Sequence, residues 1–470
     1  MNYDVILTSH VKLFSVLFGN SRMDNHSLIH LFNSVVIIDE IQAYKTDVWS
    51  KMISLIDVYA KYMNIKFIIM SATLPKIGTL LEQEKCKSKY VSLIKDSSIY
   101  FENKYFRERI SKYNFGMLEN SFLNKKKTLG FEEYKIKCFE EIINKIRKAY
   151  KNNGDRKILI EFIKKKTCRE FYNYIKKCNN KNLLKDSELT IREITSEDTS
   201  YFKKKIIKEV KESRSIIVVS TQCIEAGVDI SMDMGFKDIS YIDNEEQFLG
   251  RIAREYCKDK YSEVVFFDLD NEDDVYSRND YNYKKGLTIM NKKYREILQT
   301  KKFSMLYGEL LESINLKLNS LNDSTGRYKF NNLLSRLDYK DIYDSLELIS
   351  DKNECRIFMP YNMHIKDSYN KGVVLSGKDV WTKFTNIFKY KEYSKRTFLM
   401  SEIMNELSFF TYKFTLKGNL DFESFLKNKG ISFDIVKNIY CLKLSEDIIK
   451  TLIDDEYKLD YERFEAMILS

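Results

Sequence analysis

The chain has 470 residues, of which 44% are hydrophobic and 14% aromatic, so it can bury large cores and is unlike a disordered protein. It carries 78 Lys and Arg against 68 Asp and Glu, a net charge of +10 that suits a nucleic-acid partner. No apolar run approaches the ~18 residues of a membrane span, and the start, MNYDVILTSH, lacks a basic leader. We therefore expect a cytoplasmic protein with no membrane partner.

The positive charge has a second explanation. Lys, Asn, Ile and Tyr are abundant and Pro occurs only twice, as in proteins from AT-rich genomes, so the charge alone does not establish the partner. The eight cysteines are scattered without a CxxC pair, which argues against a zinc site and a redox dithiol. We interpret them as reduced, mostly buried thiols.

The first part of the chain alternates short apolar runs with helical patterns. The runs YDVILTS, SVVIIDE and KFIIMSAT are nearly continuous, which is typical of parallel strands covered on both faces. Between the last two, DVWSKMISLIDVYAKYM has apolar residues at helical spacing. This order predicts an α/β fold. Polar residues follow the strands, where open α/β sheets bind ligands.

A second α/β unit follows. EEYKIKCFEEIINKIRKAYKN and TCREFYNYIKKC are helical patterns, and KILIEFI, SIIVVST and EVVFFDL are strand-like. From about residue 268 an acidic segment precedes a long helical stretch, and the remainder mixes strand-like pieces such as SLELIS and CRIFMPYNM with helices. We predict two parallel-sheet lobes, a helical linker and a C-terminal accessory domain, with the boundaries 1–115, 116–268, 269–326 and 327–470.

Two adjacent acids, Asp39 and Glu40, end the strand-like run SVVIIDE. Neighbouring carboxylates repel each other, so a bound cation or a catalytic task explains them better than stability does. The first acid can hold Mg²⁺, and the second can orient or deprotonate an attacking water. Many strands end in acids, however, so the pair does not decide the function by itself.

Three more patterns follow in chain order. SATLP (71–75) ends the next strand-like run, either to bond the acidic loop or simply as a turn stopped by Pro75. STQCIEAGVDIS (220–231) and EQFLGRIAREY (246–256) lie in the second unit, and the latter fits QxxGRxxR. Its arginines can reach across a cleft to phosphates on the other unit. Arginines three apart are also common on solvated helices.

The order of these patterns is more specific than any one of them. DEIQ, SAT, TQxxEAGVD and QxxGRxxR on two successive α/β units resemble superfamily 2 helicases. DEIQ with TQCIEAGVDIS is most similar to the CRISPR-associated helicase–nuclease of type I systems. YDVILTSHVKLFSVLF resembles the segment before that family's DExx motif. SLELISDKNECRIFMPYNM and DDEYKLDYERFEAMIL are more loosely similar to its accessory domain. The resemblance implies two RecA-like lobes, the first incomplete.

The resemblance also implies ATP and Mg²⁺ as cofactors and gives roles to the matching residues. Asp39 would bind Mg²⁺ and Glu40 would be the catalytic base, while Arg251 and Arg254 would face the γ-phosphate. ATP binding would fall to Gly227, Asp229, Gln247 and Gly250. Coupling of the nucleotide state to DNA would fall to Gln42, Ser71, Ala72 and Thr73. DNA contact would fall to Thr8, Thr221 and Gln222.

Two family features are missing from the sequence. There is no GxGK[ST] P-loop, which supplies most phosphate ligands, and no HD dipeptide for the nuclease metal cluster. Phe248 also stands where the family usually has Arg. We expect a chain that is inactive alone as an ATPase, with unpaired strand edges and poor stability in its first lobe. A separate polypeptide would supply the HD and P-loop parts, or the gene is a truncated copy.

The resemblance names single-stranded DNA and an RNA-guided surveillance complex (Cascade) as partners. Two alternatives stay open. Residues 116–470 could form a module that binds DNA or the surveillance complex without hydrolysis. The chain could also be another superfamily 2 helicase, against which only the details of DEIQ and TQxxEAGVD weigh.

Overall fold

The computed structural model describes most of the chain, namely residues 4–19, 26–41, 46–71, 90–95, 98–101, 103, 105, 108–180, 189–224, 228–255, 260–270, 287–319, 336, 341, 354–366, 372–415 and 421–469. The backbone divides into two compact units. Unit 1 comprises residues 1–123, 239–249 and 266–350, and unit 2 comprises residues 124–238, 250–265 and 351–470. The four domain boundaries expected from the sequence stay a prediction.

The regular elements are numbered in chain order. The strands are β1 (Val35–Ile38), β2 (Lys66–Ile69), β3 (Lys112–Asn114), β4 (Lys157–Glu161), β5 (Thr190–Ile194), β6 (Ile216–Ser220), β7 (Met234–Asp238), β8 (Glu263–Phe267), β9 (Glu354–Phe358), β10 (Asn362–Lys366), β11 (Gly372–Ser376), β12 (Thr411–Thr415), β13 (Phe433–Val436) and β14 (Ile439–Leu442). The helices are α1 (His10–Phe18), α2 (Thr46–Tyr62), α3 (Ser98–Phe101), α4 (Asn120–Thr128), α5 (Phe131–Asn153), α6 (Lys165–Asn180), α7 (Ser200–Glu212), α8 (Ile242–Leu249), α9 (Lys292–Thr300), α10 (Phe303–Asn319), α11 (Gly377–Ile387), α12 (Tyr393–Phe409), α13 (Phe422–Asn428), α14 (Glu446–Leu452) and α15 (Tyr461–Leu469).

Unit 1 contains a parallel pair of strands, β1 and β2, joined through α2. The pairing runs from Val35 opposite Lys66 to Ile38 opposite Ile69. Burial alternates along β1: Ile38 is fully buried, whereas Val35 and Ile37 are 57% and 59% exposed. The prediction that this strand is covered on both faces is therefore wrong, because the side chains on one face of β1 are more than half exposed.

The predicted strand in YDVILTS is also absent. Residues 4–9 form no strand, and Val5 and Leu7 are 87% and 99% exposed. The helix after them, α1, begins normally, since the Ser9 side chain accepts a hydrogen bond from the Lys12 amide. An apolar run that lacks a neighbouring strand cannot form the backbone hydrogen bonds of a sheet.

The large sheet has six strands, and five of them follow the order β8-β7-β4-β6-β5. β4 pairs in parallel with both β6 and β7, and β6 pairs in parallel with β5. β6 is buried along its whole length, as its unbroken apolar run predicts. The apolar face of α5 packs in the interior, and Gly154 ends that helix with a φ of 68°. The predicted α/β class with a parallel sheet is confirmed.

Two strands of this sheet, β5 and β7, were not predicted because their sequences, TIREI and MGFKD, carry charges. Lys237 of β7 stands opposite Glu161 of β4, and the two side chains form an ion pair that is 1% exposed on either side. A charge can occupy a central strand only when a partner neutralises it. That partner is remote in sequence, so the local sequence pattern does not predict the strand.

The C-terminal part of unit 2 has a second sheet in the order β12-β9-β14-β13, and a separate hairpin of β10 and β11. Its core combines aliphatic and aromatic residues from these strands and from α11 to α15, among them Phe358, Phe384 and Phe464. The strand-like piece CRIFMPYNM is confirmed as β9 and the start of β10, whereas SLELIS lies outside the described residues. Among the helices that the structure describes, none has the length and apolarity needed to cross a membrane.

Candidate functional site

The two acids of the DEIQ motif follow β1 directly. The Glu40 amide donates a hydrogen bond to Asp39 Oδ1 at 2.9 Å, and Glu40 has a φ of 54°, so the chain turns sharply there. Met70, which follows β2, donates to the Ile38 carbonyl at 2.8 Å. The acids and Ser71 therefore lie at the same carboxyl edge of the β1–β2 pair, as the sequence predicts. Gln42, Ala72, Thr73 and Gly227 lie outside the described residues.

The exposed carboxylates of Asp39 and Glu40 can supply only some of the ligands that a magnesium ion needs. Mg²⁺ in phosphate-transfer sites is held by one or two carboxylates, and phosphate oxygens and waters complete its shell. Within the described residues no group of three His, Cys, Asp or Glu side chains could hold a metal. Two exposed carboxylates fit only an ion whose other ligands are phosphate oxygens and waters.

The TQxxEAGVD motif begins at the carboxyl end of β6. The Thr221 amide and the Cys223 thiol both donate to the Ile194 carbonyl, at 3.4 and 3.5 Å. Thr221 is 3% exposed, while Gln222 opens a short helical turn and is half-buried. Of the two residues predicted to contact DNA here, Gln222 is the more exposed, and Thr221 is buried in the turn. Thr8 lies in the exposed segment before α1.

The two arginines of QxxGRxxR have different surroundings. Arg251 is partly buried, and its Nε donates to the Ile224 carbonyl at 3.2 Å, so it ties the two motif segments together. Arg254 is 44% exposed, and its Nε lies 3.6 Å from Asp229 Oδ1. The segment between them is held by Met232, which donates to the Arg251 carbonyl at 2.9 Å. Arg254 is the arginine that a ligand can reach.

Arg254 and Asp229 line a cleft of about 720 Å³ in unit 2. Lys211, at the end of α7, contacts the second oxygen of Asp229 at 3.3 Å. Lys260 also lines the cleft and pairs with Asp233 at 2.7 Å. Four basic side chains, including these three, and three acids line the cleft, so the charge of its lining is only slightly positive. Sequence reasoning missed both lysines, because neither belongs to a motif.

This cleft lies at the amino ends of the strands. Asp233, which precedes β7, and Lys157, which begins β4, exchange hydrogen bonds of 2.8 and 2.9 Å at its wall. Thr221, by contrast, follows the carboxyl end of β6. Asp229 and Arg254 therefore lie at the opposite ends of the strands from Thr221.

The remaining motif residues lie on and after α8. Gln247 and Gly250 are half-buried, and Phe248 is fully buried. The burial of Phe248 accounts for the difference from the family pattern at this position. An arginine could not occupy this apolar position without a charged partner.

One stretch, GVVLSGKD (372–379), comes within one residue of the pattern GxxxxGK[ST]. A phosphate loop must turn its backbone N–H groups toward the ligand. Here residues 372–376 are β11, paired with β10, and α11 begins at Gly377. A Cβ at Gly377 would lie 2.8 Å from the Tyr361 carbonyl oxygen, so this glycine serves close packing. The stretch is not a phosphate loop.

Comparison with known proteins agrees with these features. Residues 154–256 match the family described as CRISPR-associated nuclease/helicase Cas3, C-terminal. The chain is 26% identical over 252 residues to a putative CRISPR-associated nuclease/helicase Cas3 of Methanocaldococcus jannaschii, and 24% identical over 250 residues to a CRISPR-associated nuclease/helicase Cas3 of Methanothermobacter thermautotrophicus. These matches cover 53% and 50% of this chain but only 31% and 26% of the relatives.

The fold has a counterpart among solved structures. The crystal structure of T. fusca Cas3 with ATP covers 92% of this chain and 53% of its own, with a TM-score of 0.50 and 11% identity. That identity shows a shared fold alone. The sequence matches confirm the resemblance to the Cas3 helicase–nucleases over part of the chain, residues 154–256 in the family comparison.

Proposed function

We propose that this chain, whose residues 154–256 form a Cas3-like C-terminal domain, is the C-terminal part of an ATP-dependent single-stranded DNA translocase of type I CRISPR antiviral interference. The observation that carries the proposal is the contact of Asp229 with Arg254, which joins two ordered helicase motifs at one cleft. The names of its relatives, nuclease/helicase, agree with this class. We place the protein in the cytoplasm, where such DNA is met.

Arg254 is the residue we assign to the terminal phosphate of ATP. An exposed ion pair such as Arg254–Asp229 contributes about 0–1 kcal/mol, so a polyphosphate can displace the carboxylate at little cost. An arginine then stabilises the charge that develops during phosphoryl transfer. Arg251 would position this segment through its bond to Ile224. Asp229, Gln247, Gly250 and Gly227 would complete the nucleotide contacts.

Asp39 and Glu40 are the acids we assign to hydrolysis. Asp39 would hold Mg²⁺, which when bound neutralises phosphate charge, and Glu40 would orient and deprotonate the water. Gln42, Ser71, Ala72 and Thr73 would couple the nucleotide state to DNA. The chain contains no GxGK[ST], so we propose that it does not hydrolyse ATP alone. The P-loop and the HD nuclease would come from outside these 470 residues.

The DNA contacts we assign are Gln222 and Thr8, with Thr221 shaping the turn. The net charge of +10 favours a phosphate-rich partner. The complete machine would be recruited by a target-bound surveillance complex (Cascade) and would reel in the displaced strand.

The test uses the purified full chain with single-stranded DNA and ATP, with and without a polypeptide that carries the HD and P-loop parts. We expect no helicase-like hydrolysis by the chain alone and DNA-stimulated hydrolysis after mixing. Arg254→Gln should abolish that activity, whereas Arg463→Gln, which removes an exposed arginine from the ion pair with Asp460, should not. ATP hydrolysis at helicase-like rates by the chain alone would refute the claim that the chain needs a second polypeptide for this activity.

The second candidate is a module that binds DNA or the surveillance complex without hydrolysis. The missing P-loop favours it, since unit 2 carries most of the Cas3-like match and the C-terminal sheet. DNA binding that ATP does not change, together with no activity after mixing, would select this candidate. If the chain binds DNA but does not bind a surveillance complex, the result would favour the third alternative, another superfamily 2 helicase.

A further inference from the structure

A tight turn between α14 and α15 presents two charged side chains to the end of β5. Its ends are closed by Asp454, whose amide donates to the Lys458 carbonyl at 3.0 Å and whose Oδ1 accepts from the Lys458 amide at 2.9 Å. Tyr457 has a φ of 65°, a conformation that bulky residues rarely adopt. Tyr361 stacks on the Tyr457 ring with centroids 5.6 Å apart, and Tyr412 donates to its carbonyl.

The charges of the turn complement those of the strand. Lys458 Nζ donates to Glu193 Oε2 at 2.6 Å and to the Glu193 carbonyl at 3.2 Å. Glu456 bonds Arg192 at 3.0 Å and Lys205 at 3.2 Å. An acid and a base on the turn thus meet a base and an acid on adjacent residues of β5, which fixes the register between them.

The Lys458–Glu193 contact is buried. The side chains are 15% and 4% exposed. Burial opposes the charged form of the ammonium, but the carboxylates of Asp198 and Glu193 raise the pKa of Lys458 overall. Lys458 also lies over the rings of Tyr172 and Phe202, each 5.4 Å away. The lysine is therefore held in one place from several sides.

The residue after Glu193 carries the helicase motif. The Ile194 carbonyl accepts the hydrogen bonds of Thr221 and Cys223. Lys458 bonds the main-chain carbonyl of Glu193. The next carbonyl, that of Ile194, sets where the Thr221–Cys223 turn begins. The C-terminal region therefore contacts the motif through the last two residues of β5, Glu193 and Ile194.

We propose that Lys458 is a positioning residue: by holding the end of β5, it fixes the Thr221–Cys223 turn. The consequence for DNA affinity rests on the proposed function, but the effect on the turn does not. The docking of the C-terminal region thereby controls the geometry of a helicase motif.

The Cys223 thiol reports on this turn directly. Burial raises its pKa to about 12, and in the native turn it donates to Ile194. Iodoacetamide modification of the full chain, followed by mass spectrometry, measures how often the thiol is released. We expect Lys458→Met to speed Cys223 modification about fivefold or more and to leave Cys178, a second partly exposed free thiol, unchanged. Lys458→Arg should stay near the wild-type rate.

Two further variants separate positioning from loss of folding. Lys427→Met removes an exposed lysine of the same region from its pair with Glu423 and should change nothing. Lys458→Met with Glu193→Gln also removes the buried carboxylate, which in the single variant keeps, among the described residues, only the 3.8 Å ion pair with Arg169. In this double variant buried Cys138 should stay protected while Cys223 still reacts faster. A wild-type Cys223 rate in the folded single or double variant would overturn the proposal.

The second readout is the affinity for a fluorescent dT oligonucleotide. We expect the double variant to bind it about fivefold more weakly, whereas Lys427→Met binds normally. Faster Cys223 modification with unchanged DNA affinity would overturn the link to DNA. A wild-type chain that binds no DNA would refute the proposed function, and the Cys223 rates would still decide the positioning role.

Discussion

Arg254 Nε lies 3.6 Å from Asp229 Oδ1, although the two residues come from separate motifs. The other carboxylate oxygen of Asp229 contacts Lys211 at 3.3 Å, so one acid is shared by two cations. All three side chains are largely exposed, at 44%, 74% and 55%. The arrangement holds Arg254 in place without burying it, as expected of a side chain that exchanges a carboxylate for a phosphate.

The first prediction concerns stability at this pair. Arg254→Gln should lower the free energy of unfolding by less than about 1 kcal/mol, because exposed ion pairs contribute little. Arg251→Gln should lower it by about 1–2 kcal/mol, since the Ile224 carbonyl loses its charged donor. Urea unfolding followed by circular dichroism measures both, with Arg463→Gln as control. A larger loss for Arg254→Gln than for Arg251→Gln would contradict the assignment.

The second prediction concerns the buried pair in the sheet. Lys237→Met should destabilise unit 2 by about 3–5 kcal/mol, because it leaves Glu161 charged and buried. Adding Glu161→Gln should recover most of that loss. Lys443→Met, which breaks an exposed pair with Asp434, is the control and should cost less than about 1 kcal/mol. Equal effects of the two lysine substitutions in urea unfolding would be inconsistent with a neutralising role for Lys237.

The third prediction concerns alkaline pH. Burial raises the pKa of Cys355 on β9 from 9.0 to about 12. Between these values the unfolded chain has lost the thiol proton and the folded chain keeps it, so stability falls as pH rises. One such thiol contributes up to about 1.4 kcal/mol per pH unit. Cys355→Ala should make the decline of the urea midpoint between pH 9 and 12 shallower.

The control for this prediction lies on the same strand. Ile357→Val removes a methyl group from β9 without a titrating group, so it should lower stability at every pH and keep the wild-type slope. The same slope for Cys355→Ala and wild type would show that this thiol is already ionised in the folded protein.

The fourth prediction separates the two motif residues near Ile194. Gln222→Ala should weaken binding of a dT oligonucleotide severalfold without a change in stability, because its half-buried side chain is available to a ligand. Thr221→Ala should mainly lower stability, since Thr221 is 3% exposed. Fluorescence anisotropy and urea unfolding on both variants test this. The reverse assignment of effects would show that Thr221 reaches the DNA after all.

Sequence reasoning predicted the strands that are themselves mostly apolar. β4, β6 and β8 consist mainly of buried apolar residues, which is typical of strands covered on both faces. It missed β5 and β7, whose charges are neutralised by residues remote in the chain, such as Lys458 for Glu193 and Glu161 for Lys237. It overpredicted YDVILTS, because an apolar run does not reveal whether a neighbouring strand is present.

The candidate site shows the same division. The order of the motifs predicted Asp229 and Arg254, and the structure brings them together. The order did not predict Lys211, or the position of the cleft at the amino ends of the strands, because both depend on how the chain runs back across the sheet. Nor did it show that Arg251 turns to a backbone carbonyl while Arg254 stays exposed.

The most direct test of the central claim is the affinity of the purified full chain for a single-stranded dT oligonucleotide, measured by fluorescence anisotropy over a range of salt concentrations. A nucleic-acid translocase grips phosphates, so we predict binding that weakens as salt rises, with a linear fall of log affinity against log salt. No binding at low salt, or an affinity that salt does not change, would contradict the account.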